Sequence, residues 1–218
     1  MAGLVALRWS SVLAARGGIE RDADAAFGKL CRSFQPAVLA YIKLAAPSAN
    51  ADDVARDFFA QLQKRRTEAA NHALRGRLRL YLRSALADFM KANVKGGRSA
   101  TKPGAALDRV FDTAWAQVLI ERSLTLLEAE TRLPVVPPAI EQLTLPFNDI
   151  KPYLTNIPTA NDYARLAATL KLPTNSIAVA IQRLKLRLNE LLKAQVADTL
   201  LDPNLLGPEF GALRNSFF

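Results

Sequence analysis

Side chains that titrate or attack near neutral pH are scarce in this chain of 218 residues, which has one histidine, His72, and one cysteine, Cys31. A structural zinc site needs about four ligands, so a histidine–cysteine site cannot be assembled from this chain alone. A Ser-His-Asp arrangement would rest wholly on His72, which lies in the polar stretch TEAANHALRGR. Cys31 sits among apolar residues in FGKLCRSF, as a small buried hydrophobe does, whereas a reactive thiol needs electropositive, partly open surroundings. A single cysteine also precludes an internal disulfide, which fits a reduced, cytoplasmic setting. The glycines of ARGG and KGGR lack the spacing of a Walker or dinucleotide loop. The carboxylates are scattered and form no metal-binding cluster in the sequence. The expectation is a protein that is not an enzyme, with no catalytic residue, no metal and no cofactor.

The chemistry this chain is equipped for is that of cations. Lys and Arg number 29 against 20 Asp and Glu, a formal net charge of +9. Such a balance favours a polyanionic partner: nucleic acid, an anionic membrane surface or an acidic protein. The excess is localised. From Lys64 to Lys102 there are 11 basic residues against two acids, Glu68 and Asp88, which equals the excess of the whole chain. Arg75, Arg77, Arg79, Arg83 and Lys91 lie in this stretch, where phosphate contacts are the obvious use. Tyr81 and Phe89 are interleaved with them; aromatics so placed either stack on unpaired bases or fill a core.

A second cationic stretch is LPTNSIAVAIQRLKLRLNELLK, from Leu172 to Lys193. Ile177, Ile181, Leu184, Leu188 and Leu191 recur at helical spacing. Before it, Tyr163, Leu166, Ala167 and Leu170 mark a first helix, and KLPTN makes a short turn. Two helices so joined, with small Ala167 near the crossing, fit a helix-turn-helix, whose second helix enters the major groove by its N-terminal end. That end carries Thr174, Asn175 and Ser176. Gln182 is then placed to read a base edge, and Arg183, Lys185 and Arg187 to hold phosphates. An ordinary helical hairpin with a solvated basic face fits the same spacing. Val179 and Leu186 project away from the apolar stripe, toward thymine methyls or a packing partner.

The elements that must position these residues are helical almost throughout, so the fold class is all-α. Half of the chain is hydrophobic, enough for a core, and the signature of disorder is absent. No apolar run is long enough to cross a membrane, which argues against membrane insertion. MAGLVALRWSSVLAARGG is interrupted by Arg8 and lacks a basic start, so it is not read as a signal peptide. Ala26, Phe27, Leu30, Cys31 and Phe34 share one helix face, and Pro36 marks a break after it. Ser48 or Asn50 caps the next helix, with Asp52 and Asp53 in its first turn. Leu78, Leu82, Ala85, Leu86 and Phe89 mark a third. NVKGGRSATKPGAAL reads as a loop. Val110, Phe111, Ala114, Trp115, Val118 and Leu119 form another stripe. Pro134, Pro137, Pro138 and Pro146 then forbid one continuous helix and leave at most a short one over AIEQLT. The tail from 201 to 218, with its Leu, Phe and Pro content, is expected to fold back on one of the domains and to regulate access to DNA.

The order of these parts resembles the sigma-70 family of bacterial transcription initiation factors, in particular the extracytoplasmic-function group and a subset that begins with an RWS segment. The matching pieces are LRWSSVLAARGG, AFGKLCRSFQPAVLAYI, ADDVARDFFAQL, RGRLRLYLRSALADFM, FDTAWAQVLIERSLTLL, IKPYL and DYARLAATLKLPTNSIAVAIQRLKLRLNELL, which together cover most of the chain. The resemblance implies two helical domains: a sigma-2-like bundle over 1–95 and a sigma-4-like helix-turn-helix domain over 153–200. Between them lies a linker over 96–152 with a helix around 107–130, and the tail over 201–218 follows.

In such a factor Asp52, Asp53, Arg56, Asp57 and Phe59 would bind core RNA polymerase. Arg75, Arg77, Arg79, Tyr81, Arg83 and Lys91 would recognise and melt the −10 element of promoter DNA. Asn175, Ser176, Gln182, Arg183, Lys185 and Arg187 would read the −35 element. The partners implied are core RNA polymerase and promoter DNA, with room for an anti-sigma factor or other regulator. Five positions depart from the family pattern, which often has a glutamine near Arg56 and a Trp near Tyr81. Lys171 stands where the family often has Gly, Ala178 where it often has a basic residue, and Asp88 where Asn or His is frequent. A free-standing helix-turn-helix regulator and a basic helical adaptor for acidic proteins or membrane are the other readings of the same features.

Overall fold

The computed structural model describes Trp9 and residues 20–64, 76–93, 104–132 and 146–217. Among these residues the fold is all-helical and contains no strand. The helices are α1 (Glu20–Arg32), α2 (Gln35–Ala45), α3 (Ala51–Lys64), α4 (Leu78–Asn93), α5 (Gly104–Thr131), α6 (Phe147–Thr155), α7 (Ala160–Leu170), α8 (Thr174–Ala197) and α9 (Leu206–Phe217). The short helix expected over AIEQLT, most of LRWSSVLAARGG and His72 lie outside the described residues.

Local chemistry sets several of these boundaries. The break after α1 falls at Ser33 and Phe34, whose N–H groups turn back to carbonyls of α1. Pro36 then sits in the first turn of α2, where a helix loses nothing by a missing N–H. Asn50 is the cap of α3: its Oδ1 accepts from the N–H of Asp52 at 3.1 Å and, more loosely, from that of Asp53 at 3.5 Å. Asp52 and Asp53 therefore lie at the positive end of the helix. α5 starts at Gly104, inside the stretch expected to be loop. α6 spans the expected boundary between the linker and the helix-turn-helix domain at 152/153 and contains Pro152. Phe147, Ile150 and Leu154 on its one face are all buried, and that burial outweighs the cost of a proline in so short a helix.

The chain forms two compact units. The first comprises Met1–Val118 with Val196–Ser216; the second comprises Leu119–Gln195 with Phe217 and Phe218.

In the first unit α1, α2, α3, α4 and the first part of α5 supply the core. Phe34 lies flat on Trp115, centroids 3.6 Å apart, and Trp115 in turn stacks on Phe111. Tyr41 meets Phe111 edge-on, and Phe58 meets Phe89 in the same way. Cys31 is buried among these residues, and burial pushes its thiol pKa up, away from reactivity.

The C-terminal segment belongs to this unit, folded back as the sequence led one to expect. Trp9 donates its N–H to the carbonyl of Asp198 at 2.7 Å. Leu78 N–H reaches the carbonyl of Thr199, and Leu201 N–H that of Gly76, each at 3.0 Å, so Arg77 and Leu200 form an isolated antiparallel bridge.

In the second unit the rest of α5, α6, α7 and most of α8 bury Leu119, Leu127, Phe147, Ile150, Leu154 and Leu166 against Ile177, Ile181, Leu184 and Leu188. The stripe read from the sequence of α8 is wholly buried. Of the four residues read on α7, only Leu166 is buried; Tyr163, Ala167 and Leu170 are half-buried.

Candidate nucleic-acid interface

In the second unit α7 and α8 are joined by three residues, Lys171 to Pro173. The start of α7 is fixed by a reciprocal cap. Asp162 N–H donates to Thr159 Oγ1 at 3.3 Å, while Asp162 Oδ2 accepts from Thr159 N–H at 2.9 Å and from its hydroxyl at 2.7 Å. These bonds to Thr159, with Arg165 beside it at 2.9 Å, hold the Asp162 carboxyl below its ordinary pKa.

The end of α7 is fixed by Lys171, which adopts the left-handed conformation at φ 53°, ψ 40° and donates its N–H to Ala167. The sequence pattern of the resembled family favours glycine here, and the backbone explains why: only glycine takes this conformation without steric cost. Among the described residues Lys171 is the one non-glycine residue with positive φ.

The corner presents the first half of α8. Thr174, Asn175, Ser176, Gln182 and Arg183 are exposed, while Ile177 and Ile181 are buried behind them. Helical spacing puts Asn175, Val179, Gln182 and Leu186 on one line, with Ser176 and Arg183 at its edge. Val179 is 40% exposed and Leu186 61%, so this line is part amide, part hydrocarbon. Lys185 is turned away: its Nζ donates to the carbonyl of Asn156 at 2.8 Å, and partial burial lowers its pKa. Arg187 is engaged as well. Its Nε and Nη2 hold both oxygens of Glu130 at 2.9 and 2.7 Å, and its Nη1 holds Glu190 at 2.6 Å. These carboxylates raise its pKa further. Of the six residues expected to face the −35 element, Asn175, Ser176, Gln182 and Arg183 are exposed, and Lys185 and Arg187 are turned to partners in their own fold.

The expected −10 residues lie in the first unit. Arg75 is outside the described residues. Arg79 is only 3% exposed. Its Nε donates to Glu209 Oε1 at 2.5 Å and its Nη1 to Asp112 Oδ1 at 2.7 Å. Burial opposes its charge, but the two carboxylates outweigh that and raise its pKa. Arg83 Nη1 donates to Asp112 Oδ2 at 2.9 Å, and its Nε lies 3.5 Å from Asp108. Arg77 Nε is 3.6 Å from Glu209 Oε2.

Tyr81 is buried, its ring stacked on Trp9 at 5.8 Å. Lys91 stays exposed, and its Nζ, 3.7 Å from Asp88, offsets that acid. The expectation placed these side chains on a DNA face; in this structure Arg79 and Tyr81 are interior. Sequence reasoning missed Glu209, Asp112 and Glu130, the acids that neutralise the arginines. No local pattern could have shown them, since Glu209 is 130 positions from Arg79.

On α3, Asp52, Asp53, Arg56 and Asp57 are exposed, with Arg56 paired to Asp53 at 2.9 Å. Phe59 is buried beside Phe58 at 5.3 Å and belongs to the core. The exposed side is thus short, charged and mainly acidic.

Among the described residues no group of three His, Cys, Asp or Glu stands together to hold a metal ion. No described helix is long and apolar enough to cross a membrane. Comparison with protein-family models, with curated proteins and with solved structures returned no match.

Proposed function

We propose that this protein is a sigma-type initiation factor of the extracytoplasmic-function kind, which binds core RNA polymerase and directs it to promoters by reading −35 and −10 DNA. The observation that carries the reading is the capped α7, the left-handed corner at Lys171 and the open face of Asn175, Ser176, Gln182 and Arg183 that follows. An α-helix fits the B-DNA major groove, where side-chain amides pair with adenine and apolar groups touch thymine methyls. The face of α8 offers both in Gln182 and Val179.

The exposed side of α3 supports the second half of the reading. Asp52, Asp53, Arg56 and Asp57 provide a charged surface for a partner helix. The protein itself does no chemistry in this scheme; it binds, positions and holds open DNA on which the polymerase acts. Extrusion of a base at the −10 element costs a few kcal/mol, roughly, which contacts to the unpaired strand offset.

A pull-down with sigma-free core polymerase, followed by transcription from genomic fragments, tests the proposal. A stable complex that initiates at discrete sites is the expected result. Absence of a complex with the cognate core would overturn it. One observation favours a second reading, a free-standing helix-turn-helix regulator: Arg77, Arg79 and Arg83 are already matched by carboxylates. That reading expects specific duplex binding by α8 with no complex with the core.

A further inference from the structure

The C-terminal segment lies against the α4 arginines through a carboxylate that is itself almost wholly buried, with Glu209 1% exposed. Its two oxygens face two arginines, Arg79 at 2.5 Å and Arg77 at 3.6 Å. An oxyanion held between guanidinium groups is what a backbone phosphate of DNA would also be. We infer that residues 198–216 form a latch whose Glu209 occupies a phosphate-binding cluster on α4, so that single-stranded DNA and the latch compete for Arg77 and Arg79. The inference deepens the proposed function, since the resemblance read from the sequence gives Arg77 and Arg79 to the −10 strand.

Three features suit this segment to release. First, its anchorage is small. Among its described side chains, Glu209 and Leu213 of α9 are buried, with Thr199 and Leu200 before it, while Gly207, Pro208, Gly211 and Ala212 are exposed. Two glycines and a proline within 12 residues also make α9 a poor helix by itself. Second, the fit of the carboxylate is incomplete: the buried Glu209 Oε2 accepts no hydrogen bond, although it lies within ion-pair distance of Arg77. Third, the cluster is not left bare when the latch leaves. Asp112 remains bonded to Arg79 and Arg83, and Asp108 lies beside Arg83, which keeps α4 charge-compensated at one end while Arg77 and the Nε of Arg79 become available. The hinge would fall at the antiparallel bridge of Arg77 and Leu200, where Leu78 N–H donates to Thr199 and Leu201 N–H to Gly76.

The test uses the full chain and a short single-stranded oligodeoxynucleotide of mixed sequence, with binding followed by fluorescence anisotropy across salt concentrations. Glu209→Gln keeps the size of the side chain and removes its charge. Two additional phosphate contacts steepen the plot of log affinity against log salt by about 1.4 for a single strand. The gain in affinity should therefore shrink about sevenfold between roughly 50 mM and 200 mM salt. Unchanged or weaker binding with an unchanged slope, in a variant of native helicity, overturns the inference.

Hydrogen exchange on the unaltered protein is a second measurement that does not depend on the variant folding. The amides of Leu78 and Leu201 should lose protection as the oligonucleotide saturates. Full protection with DNA bound, or no binding of the oligonucleotide by either protein, counts equally against it. Neither readout contains polymerase or promoter. A change in DNA binding without a core complex therefore removes the sigma reading and leaves the latch, and the reverse result does the opposite.

Discussion

Replacing Lys171 by glycine and, separately, by alanine isolates the cost of the corner between α7 and α8. Lys171 holds φ 53° and ψ 40°, a conformation in which a Cβ crowds the following carbonyl. For an ordinary L-residue the cost is about 1–2 kcal/mol. Glycine avoids it but loses more freedom on folding, which returns about 0.4–1 kcal/mol to the unfolded state. The net preference for Gly over Ala is then about 1 kcal/mol. Both variants lose the ammonium near the negative end of α7, so its favourable dipole interaction cancels in the comparison.

The assay is urea and thermal unfolding followed by circular dichroism. Lys171→Gly should melt about 4–8 °C above Lys171→Ala if the second unit unfolds by itself, and about half as far above it if the chain unfolds as one. The urea midpoint should move with no change in slope. Within α8 the order must invert: Ala178→Gly, at a half-buried helical position, should lower stability by about 1 kcal/mol. If alanine equals or exceeds glycine at 171, the corner is not strained, and the reasoning that makes glycine the natural residue there fails.

The committed and the open residues of α8 should separate in two assays. Gln182→Ala should weaken specific duplex binding without lowering stability, because its side chain is exposed. Arg187→Ala should instead lower the stability of the second unit by about 1 kcal/mol, through loss of its paired bonds to Glu130, and should reduce binding only as folding is lost. The cap of α7 should respond to acid in a defined direction. The Asp162 carboxyl is held below its ordinary pKa, so its contribution is complete above that ordinary value and is lost as pH falls through its lower, folded value. Amide exchange at Thr159 and Asp162 should accelerate in that range, and Asp162→Asn should remove the dependence.

What could be read in the sequence follows from how local each signal is. The helix faces were legible because burial imposes a period: Phe27, Leu30, Cys31 and Phe34, and Ile177, Ile181, Leu184 and Leu188, are buried as their spacing requires. Boundaries set by one side chain were legible too, such as the break before Pro36 and the cap of α3, which was read as Ser48 or Asn50 and is Asn50. α6 was not, since Pro152 signals a break and only burial of Phe147, Ile150 and Leu154 overrides it. Phe59 was given a docking role by the resemblance of ADDVARDFFAQL, yet it is buried beside Phe58. Sequence separates an aromatic at the edge of a stripe from one inside it only through the neighbour that covers it, and that neighbour is a matter of tertiary packing.

The basic residues carry the same lesson into electrostatics. A count of charges along a stretch bounds the field that stretch presents, and distant acids decide how much of it survives. On α4 the guanidinium groups of Arg79 and Arg83 are met by Asp108 and Asp112 from α5 and by Glu209 from α9. On α8, Arg187 is met by Glu130 and Glu190, and Lys185 by a carbonyl. The compensated cations fix helices to one another. The exposed line of Asn175, Val179 and Gln182 is left as a surface of amide and methyl groups beside Arg183. Such a surface suits the edges of bases better than a row of phosphates, because hydrogen-bond pattern and methyl contact vary with sequence and phosphate charge does not. The division of labour along α8 is therefore chemical: its first half faces outward with groups that can discriminate, and its second half spends its charge on holding the unit together.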